Sequence, residues 1–380
     1  MDINIETLAL AKKWAESKGG GAGSGSGPDE QDTIDVFINN IGFAEFMQGF
    51  INSDGFSDGV YYDGPAHWLG TSVFNGGVLM PNGKVLLVPS KSLRFCIYDP
   101  VANTCADGPA HKRPVANPVF SGGVLAPNGK VILVPYSSPN IGIYDPIANT
   151  YKDGPAVGGS FGGGVLALNG KVILSPYNSP NIGIYDPVTN TYTNGPAESR
   201  LYGHCTLAPD GKVVMAPVQS GGYILIYNPA INSSRTVTSG EMFSGCVLAP
   251  NGKIIMVPSN AANIGICDPD NYGYQVACAT GYPNSNFNCG VLGPNGKVIL
   301  VPGSRAYIGI YDPITNTYTN GPAHGQSQSS IAFNGGVLVP NGRIILVPYY
   351  SQNIGIYEFT NTPGTTIDPG YCLHPYLNKC

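Results

Sequence analysis

The chain has 380 residues, of which only 11% are charged, and a net charge of −5. Ordinary domains carry about 25% charged residues, so the polar surface here must come from Asn, Ser, Thr, Gly and Tyr, and the negative balance argues against nucleic acid as a partner. No apolar run approaches the roughly 20 residues of a membrane span, so no membrane insertion is expected.

The N-terminus carries Asp2 and Glu6 where a secretory signal would carry basic residues, so synthesis in a cytoplasm is expected. Residues 1–18 form the first unit. Asn4 is a fitting N-cap, Glu6 favours a first helical turn, and Gly19-Gly20-Gly21 ends the helix. A helix of about 15 residues is marginal alone in water. It should therefore dock on a partner or bundle with copies of itself, with Leu8, Leu10 and Trp14 as the anchoring side chains. Residues 19–28 read as a Gly/Ser-rich tether. No Gly-Lys-Ser/Thr comes after it, so this is not a phosphate loop. Residues 29–57, with Phe37, Phe43, Phe46 and Phe50, read as a connecting segment packed on the repeat domain.

From residue 58 to 358 the chain repeats itself. Turn phrases sit at Pro81-Asn82-Gly83, Pro127-Asn128-Gly129, Leu168-Asn169-Gly170, Pro209-Asp210-Gly211, Pro250-Asn251-Gly252, Pro294-Asn295-Gly296 and Pro340-Asn341-Gly342. Their spacings are 46, 41, 41, 41, 44 and 46 residues. That period fits one four-stranded propeller blade, and seven copies predict an all-β, seven-bladed propeller. In the unit from Phe161 to Ala197, strand A runs Gly164 to Ala167 and strand B Lys171 to Leu174. Asn-Gly between them predicts a type I′ hairpin. Strand B is continuously apolar, so both of its faces are covered. Strand C is Ile182 to Tyr185, Asp186-Pro187 turns the chain, and a short strand D ends at Gly195-Pro196-Ala197.

The strand D phrase recurs early, as Tyr61-Tyr62-Asp63-Gly64-Pro65-Ala66, while the last unit stops at Ile356-Tyr357-Glu358. The N-terminal copy should thus be the outer strand of the last blade and close the ring. The pattern L-x-P-N-G-K-V-I-L…I-x-I-Y-D-P-x-x-N-T-Y resembles kelch or galactose-oxidase-type repeats. Val134-Pro135 departs from the paired glycines of that family, and Tyr151, Tyr192 and Tyr318 stand for its Trp. No matching set of copper ligands is present, so the resemblance implies architecture and no cofactor. Residues 359–380 form a tail in which Cys372 and Cys380 could bridge.

Candidate chemistry is sparse. Cys205 and Cys246 hold equivalent strand A positions and read as buried thiols. Cys96 with Cys105, and Cys267 with Cys278, lie on neighbouring strands and are able to bridge, although a cytoplasm favours reduced pairs. The basic residues after each turn, Lys84 to Arg343, should pair with the acids ending strand C. His67, His111 and His324 each follow a Gly-Pro-Ala phrase on different blades, where outer-strand positions diverge, so no metal site is expected. Loop acids that could serve glycoside cleavage are few, Glu198 and Glu241 among them.

The opposite loop face carries Tyr136, Tyr177, Tyr223, Tyr307, Tyr349 and Tyr350, with recurring Asn140, Asn181, Asn263 and Asn353. Flat amphipathic rings beside amide donors and acceptors suit sugars, so these tyrosines are the candidate ligand-binding residues. Leu8 to Lys18 followed by glycines resembles the N-terminal attachment peptides of bacteriophage fibre and tail-associated proteins. That resemblance implies a non-enzymatic virion protein, oligomeric in the particle. Its partners would be other virion proteins and a host-surface glycan or protein. The alternatives are a carbohydrate-active enzyme and a cytoplasmic kelch-type interaction protein.

Overall fold

The computed structural model describes residues 56–67, 70, 72–283, 286–327 and 330–361. The expected helix with Leu8, Leu10 and Trp14, the tether, and Cys372 and Cys380 lie outside these residues. Seven four-stranded antiparallel sheets make the ring. Blades one to six run Phe74–Ala110, Phe120–Ala156, Ser160–Ala197, Tyr202–Thr238, Phe243–Ala279 and Phe287–Ala323. Blade seven takes strands A to C from Phe333–Leu338, Arg343–Pro348 and Asn353–Asn361, and its outer strand from Phe56–Ala66. The strand A of each blade packs on that of the next, and blade seven packs on blade one. The ring is therefore closed by the N-terminal strand, as its sequence phrase implied; Tyr61 pairs with Tyr357 across the seam.

The hairpins between strands A and B are not type I′. In each, only the glycine has positive φ, 77° at Gly83 for example. The Gly83 N–H donates to Met80 O at 2.9 Å, and Met80 N–H to Lys84 O at 2.8 Å. This is a type I turn followed by a left-handed glycine bulge. In blade one Pro81 enforces it, holding φ near −65° at the first corner and so excluding the mirror-image turn, while blade three makes the same turn with Leu168 in that place. The asparagine instead braces the turn from its side chain, where Asn82 Oδ1 accepts from Lys84 N–H at 3.1 Å.

Strand A starts earlier than the apolar pattern suggested, at Ser160 in blade three, and takes in a glycine-rich stretch. Those glycines are packing notches. A Cβ at Gly123 would lie 2.9 Å from Val78 Cγ2 of the preceding blade, and one at Gly336 would lie 2.6 Å from Val291 Cγ2. Each valine of one blade thus seats in a glycine notch of the next, which interior packing density rewards. Cys205 and Cys246 fill the same place in blades four and five, and both are buried.

Outer turns are stapled by strand C tyrosines. Tyr98 and Tyr185 are fully buried, yet their hydroxyls donate to Asn103 Oδ1 at 2.9 Å and Asn190 Oδ1 at 3.0 Å. Those asparagines sit at φ 53° and 54°, a left-handed corner that Asn tolerates. The acid of Asp-Pro caps the same turn: Asp99 Oδ1 accepts from Val101 and Ala102 N–H, each at 3.0 Å. The Ala102 N–H first, and Lys84 after it, hold the Asp99 carboxyl below the usual carboxylate range.

Candidate functional site

One face of the ring carries the A–B and C–D turns. Here the expected ion pairs form between Lys84 and Asp99 at 3.2 Å, Lys171 and Asp186 at 3.5 Å, Lys253 and Asp268 at 2.6 Å, and Arg343 and Glu358 at 2.7 Å. Two cations depart. Lys212 turns to Asp210. Lys297 reaches Asp58 of the closing strand at 2.9 Å, so blade six clasps the outer edge of blade seven.

The other face divides the candidate tyrosines into two groups. Tyr136, Tyr177 and Tyr349 follow the proline of strand B in blades two, three and seven. The rings of Tyr136 and Tyr177 are 5.2 Å apart, and those of Tyr349 and Tyr350 are 5.1 Å apart. Tyr349 is close enough to Tyr136 to act on its titration; burial first, then the Tyr177 hydroxyl, pushes Tyr136 up to about 12. In blades four, five and six the same position holds Val218, Ser259 and Gly303. Blade one holds Ser90 there, so the aromatic arc of blades seven, two and three has a gap between Tyr349 and Tyr136, and blades four to six carry the smaller residues. Tyr223 and Tyr307 stand apart, as the first residues of strand C in blades four and six. Arg200 lies over Tyr223, 4.5 Å from its ring centroid.

Several other candidates are occupied structurally. Asn140 and Asn181 amides donate to Gly154 O at 3.0 Å and Gly195 O at 3.1 Å, holding strand D to strand C. The histidines do not converge on a metal. His67 Nε2 bonds Ser351 O at 2.8 Å, His111 Nε2 bonds Ser92 O at 2.7 Å, and His324 Nε2 bonds Arg305 O. Among the described residues no His/Cys/Asp/Glu group could hold a metal ion. Glu198 is buried and accepts from the Ser199 and Arg200 N–H groups at 2.9 and 3.0 Å, so it caps its own loop.

The cysteine pairs split. Cys96 and Cys105 are bridged. Cys267 and Cys278 are free thiols. The register explains the second pair: Cys267 lies opposite Tyr274, while Cys278 sits four residues further along, about 13 Å at strand rise.

Sequence reading missed the wall of the central channel. The second residue of strand A bonds across to the next blade. Asn75 Nδ2 donates to Phe120 O at 2.8 Å, Ser121 Oγ to Phe161 O at 2.7 Å, Ser244 Oγ to Phe287 O at 2.7 Å and Asn288 Nδ2 to Phe333 O at 2.9 Å. Gly162 and Gly203 take this place in blades three and four, where a Cβ would lie 2.2 Å from Tyr202 O and 2.4 Å from Ser244 O. The blades thus touch backbone to backbone there. The signal was the Asn or Ser directly after the first Phe of strand A in blades one, two, five, six and seven. His204 is the next residue of blade four, and its ring lies between the positions of Gly163 and Gly245 on the flanking blades. It keeps some accessible surface although walled in, which turns it to the channel lumen. Burial pushes its pKa down to about 4.

No family model and no curated protein matches the sequence. Solved structures do match in shape. A streptogramin B lyase aligns with a TM-score of 0.67 and 16% identity, covering 79% of this chain and 98% of that one. A catalytically inactive virginiamycin B lyase from Staphylococcus aureus, solved with quinupristin, gives 0.65 and 14% over 80% and 99% of the two chains. Kuenenia stuttgartiensis hydrazine synthase gives 0.63 and 12% over 79% and 99%. These are lyases and a synthase by name rather than kelch proteins. At such identities the likeness reaches the propeller fold and no further.

Proposed function

We propose that the chain is a recognition propeller, carried on a bacteriophage particle by its N-terminal segment, whose tyrosine face binds a host-surface glycan or protein. The observation that carries this reading is the aromatic arc of Tyr136, Tyr177, Tyr349 and Tyr350. Tyr350 is 43% exposed, and clustered tyrosines supply flat contact area at low entropic cost. The attachment-like segment around Leu8, Leu10 and Trp14 and its glycine tether supply the particle setting, with copies assembling as an oligomer there.

The test compares the full chain with one starting at Gly27, each assayed for binding to candidate host cells and for incorporation into particles. Cell binding by both, with incorporation of the full chain alone, supports the reading. Absence of the chain from purified particles overturns the virion part. Unchanged cell binding by a Tyr136→Ala, Tyr349→Ala double variant overturns the role of the arc.

His204 favours a second reading, an enzyme working in the channel, because an imidazole held neutral at pH 7 is a proton acceptor. The streptogramin lyases of like fold suggest the first substrate to try. Turnover of a streptogramin B, lost in a His204→Ala variant, would establish it.

A further inference from the structure

The gap that Ser90 leaves in the aromatic arc has a cation beside it. The backbone fixes its place. Ser72 N–H donates to Tyr349 O at 2.6 Å, and Lys91 N–H donates to Ser72 O at 3.1 Å. On the other side Val119 N–H donates to Ser90 O at 2.8 Å, and Tyr136 N–H donates to Val119 O at 3.0 Å. The B–C loop of blade one is thus laced between Tyr349 and Tyr136. Lys91 takes the place after the strand B proline that Tyr350 holds in blade seven. Arg94 opens strand C, where blades two, three, five and seven put Asn140, Asn181, Asn263 and Asn353. It pairs with Ala110, two residues before Lys112 on the loop that leads to blade two.

These cations have no counter-charge. Lys91, Arg94 and Lys112 are exposed, and among the described residues their charged ends make no ion pair, hydrogen bond or ring contact. Arg113 of the same loop is different, since it reaches Asp153 at 2.5 Å and Asn140 Oδ1 at 3.1 Å. No Asp or Glu occurs in residues 90–94 or 111–119. Lys112 also holds φ at 59°. Two residues after strand D, blades four, five and six put Gly240, Gly281 and Gly325 there, at φ 75°, 80° and 70°. Glycine takes that conformation freely and lysine does not. Strain retained at this one position points to a use for the side chain.

We infer that this corner of blade one is the anion-binding part of the tyrosine face, and that its ligand is an acidic surface glycan, a polymer whose carboxylate or phosphate groups recur along its length. The inference rests on the recognition reading proposed for the tyrosine face. Chain geometry keeps the Cα atoms of Lys91 and Lys112 each within roughly 13 Å of that of Arg94. Three like charges this close repel one another in the free protein, and a polyanion relieves all three at once. Lysine meets an anion as a point charge and arginine as a planar fork, so the set takes carboxylate and phosphate alike. The flat rings of Tyr349, Tyr350 and Tyr136 to either side suit the sugar rings between those charges. On a chain of net charge −5, one cationic corner also orients an anionic polymer toward this face.

The test measures binding of the full chain to hyaluronan, which carries carboxylates, to a polyribitol phosphate and to neutral dextran, by biolayer interferometry at about 50 and 300 mM salt. An acidic polymer should bind more tightly than dextran, with an affinity that falls as salt rises, and the polymer preferred tells carboxylate from phosphate. The main variant restores residues found in other blades. Lys91→Ser, Arg94→Asn and Lys112→Gly together should weaken the acidic polymer about tenfold or more and remove most of the salt dependence. Lys112→Gly relieves the strained corner, so the Tm should not fall, and the single changes Lys91→Ser and Arg94→Asn should each give part of the loss. Equal binding of dextran, tighter binding of a single-stranded oligonucleotide, or undiminished binding by the folded triple variant overturns the inference. Host cells separate the two readings. If the Tyr136→Ala, Tyr349→Ala double variant abolishes cell binding and the triple variant leaves it intact, the tyrosine face stands and its anionic ligand falls. If acidic-polymer binding follows the three cations while neither variant changes cell binding, the anion site stands and host recognition by this face falls.

Discussion

Asn334 Nδ2 donates to Asn75 Oδ1 at 2.8 Å although the two are 259 positions apart in the chain. The bond joins the last blade to the first at the channel wall. Asn75 is buried and passes the link on, because its own amide donates to Phe120 O of blade two. Replacing it leaves a buried carbonyl, at about 1–3 kcal/mol, and a half-buried amide, at less, without their partner. Asn75→Ala should therefore cost about 2–4 kcal/mol, and Ser121→Ala, which ends one link, about 1 kcal/mol. Urea midpoints at unchanged slope measure both. Equal losses would mean that the ring bonds do not act link by link.

The closing strand should be indispensable where its single ion pair is not. A chain beginning at His67 lacks Phe56–Ala66 and leaves the edge of Asn353–Asn361 unpaired. Exposed sheet edges recruit other strands, so this chain should elute as aggregates or fail to unfold cooperatively. A synthetic peptide of residues 56–66 added during refolding should restore the monomer peak. Asp58→Asn loses the partly exposed ion pair to Lys297 and weakens the acceptor of Asn295 Nδ2, and should cost under about 1 kcal/mol. Monomeric, cooperative behaviour of the shortened chain would show that six complete blades and three strands suffice.

Neighbouring glycines of one strand should respond in opposite ways. A methyl at Gly123 lands 2.9 Å from Val78 Cγ2 and 3.1 Å from Val131 Cγ1, while one at Gly122 meets nothing within 4 Å. Overpacking of this kind costs about 1–3 kcal/mol, so Gly123→Ala should lower the Tm and Gly122→Ala should leave it nearly unchanged. Adding Val78→Ala to Gly123→Ala should cost less than the sum of the single changes, because the pair shares one space. Strict additivity would mean that the notch is not what selects glycine.

These same residues mark how far the sequence could be read. The hairpin phrases and the misplaced Gly64-Pro65-Ala66 gave the blade count and the closure, because turn chemistry and strand pairing are local or copied. Type I′ was the wrong turn: six of the seven phrases put Pro ahead of the Asn-Gly or Asp-Gly pair, and the seventh, with Leu168, takes the same bulged turn. Gly123 and Asn75 were passed over because their reason lies in the adjacent blade, which no single repeat displays. The tyrosines were found but not their division into an arc and two outliers, since that depends on which blades adjoin around the ring. Cys96 and Cys105, expected to stay reduced in a cytoplasm, are bridged while Cys267 and Cys278 are not, an outcome set by register that spacing alone does not reveal.

Acid should destabilise the ring well before its carboxylates protonate. Burial lowers His204 from the ordinary 6.5 to about 4 in the fold, and lowers His67, His111 and His324 in the same direction. Between those values the unfolded chain binds the proton and the folded chain refuses it. Stability is thus complete above pH 6.5 and falls as pH drops toward 4, by at most about 3 kcal/mol for His204. Asp99, Asp153 and Asp268 are lowered below the ordinary 3.8. Their stabilisation disappears only at still lower pH, so the two limbs separate. Urea midpoints taken at about pH 7.5, 6 and 5 should decline, and His204→Gln should flatten much of that decline while sparing the limb below about pH 4. An unchanged decline in the variant would mean that His204 takes up its proton inside the channel at an ordinary pH. The imidazole would then be positively charged in mildly acidic solution, and the case for a neutral channel base would go with it.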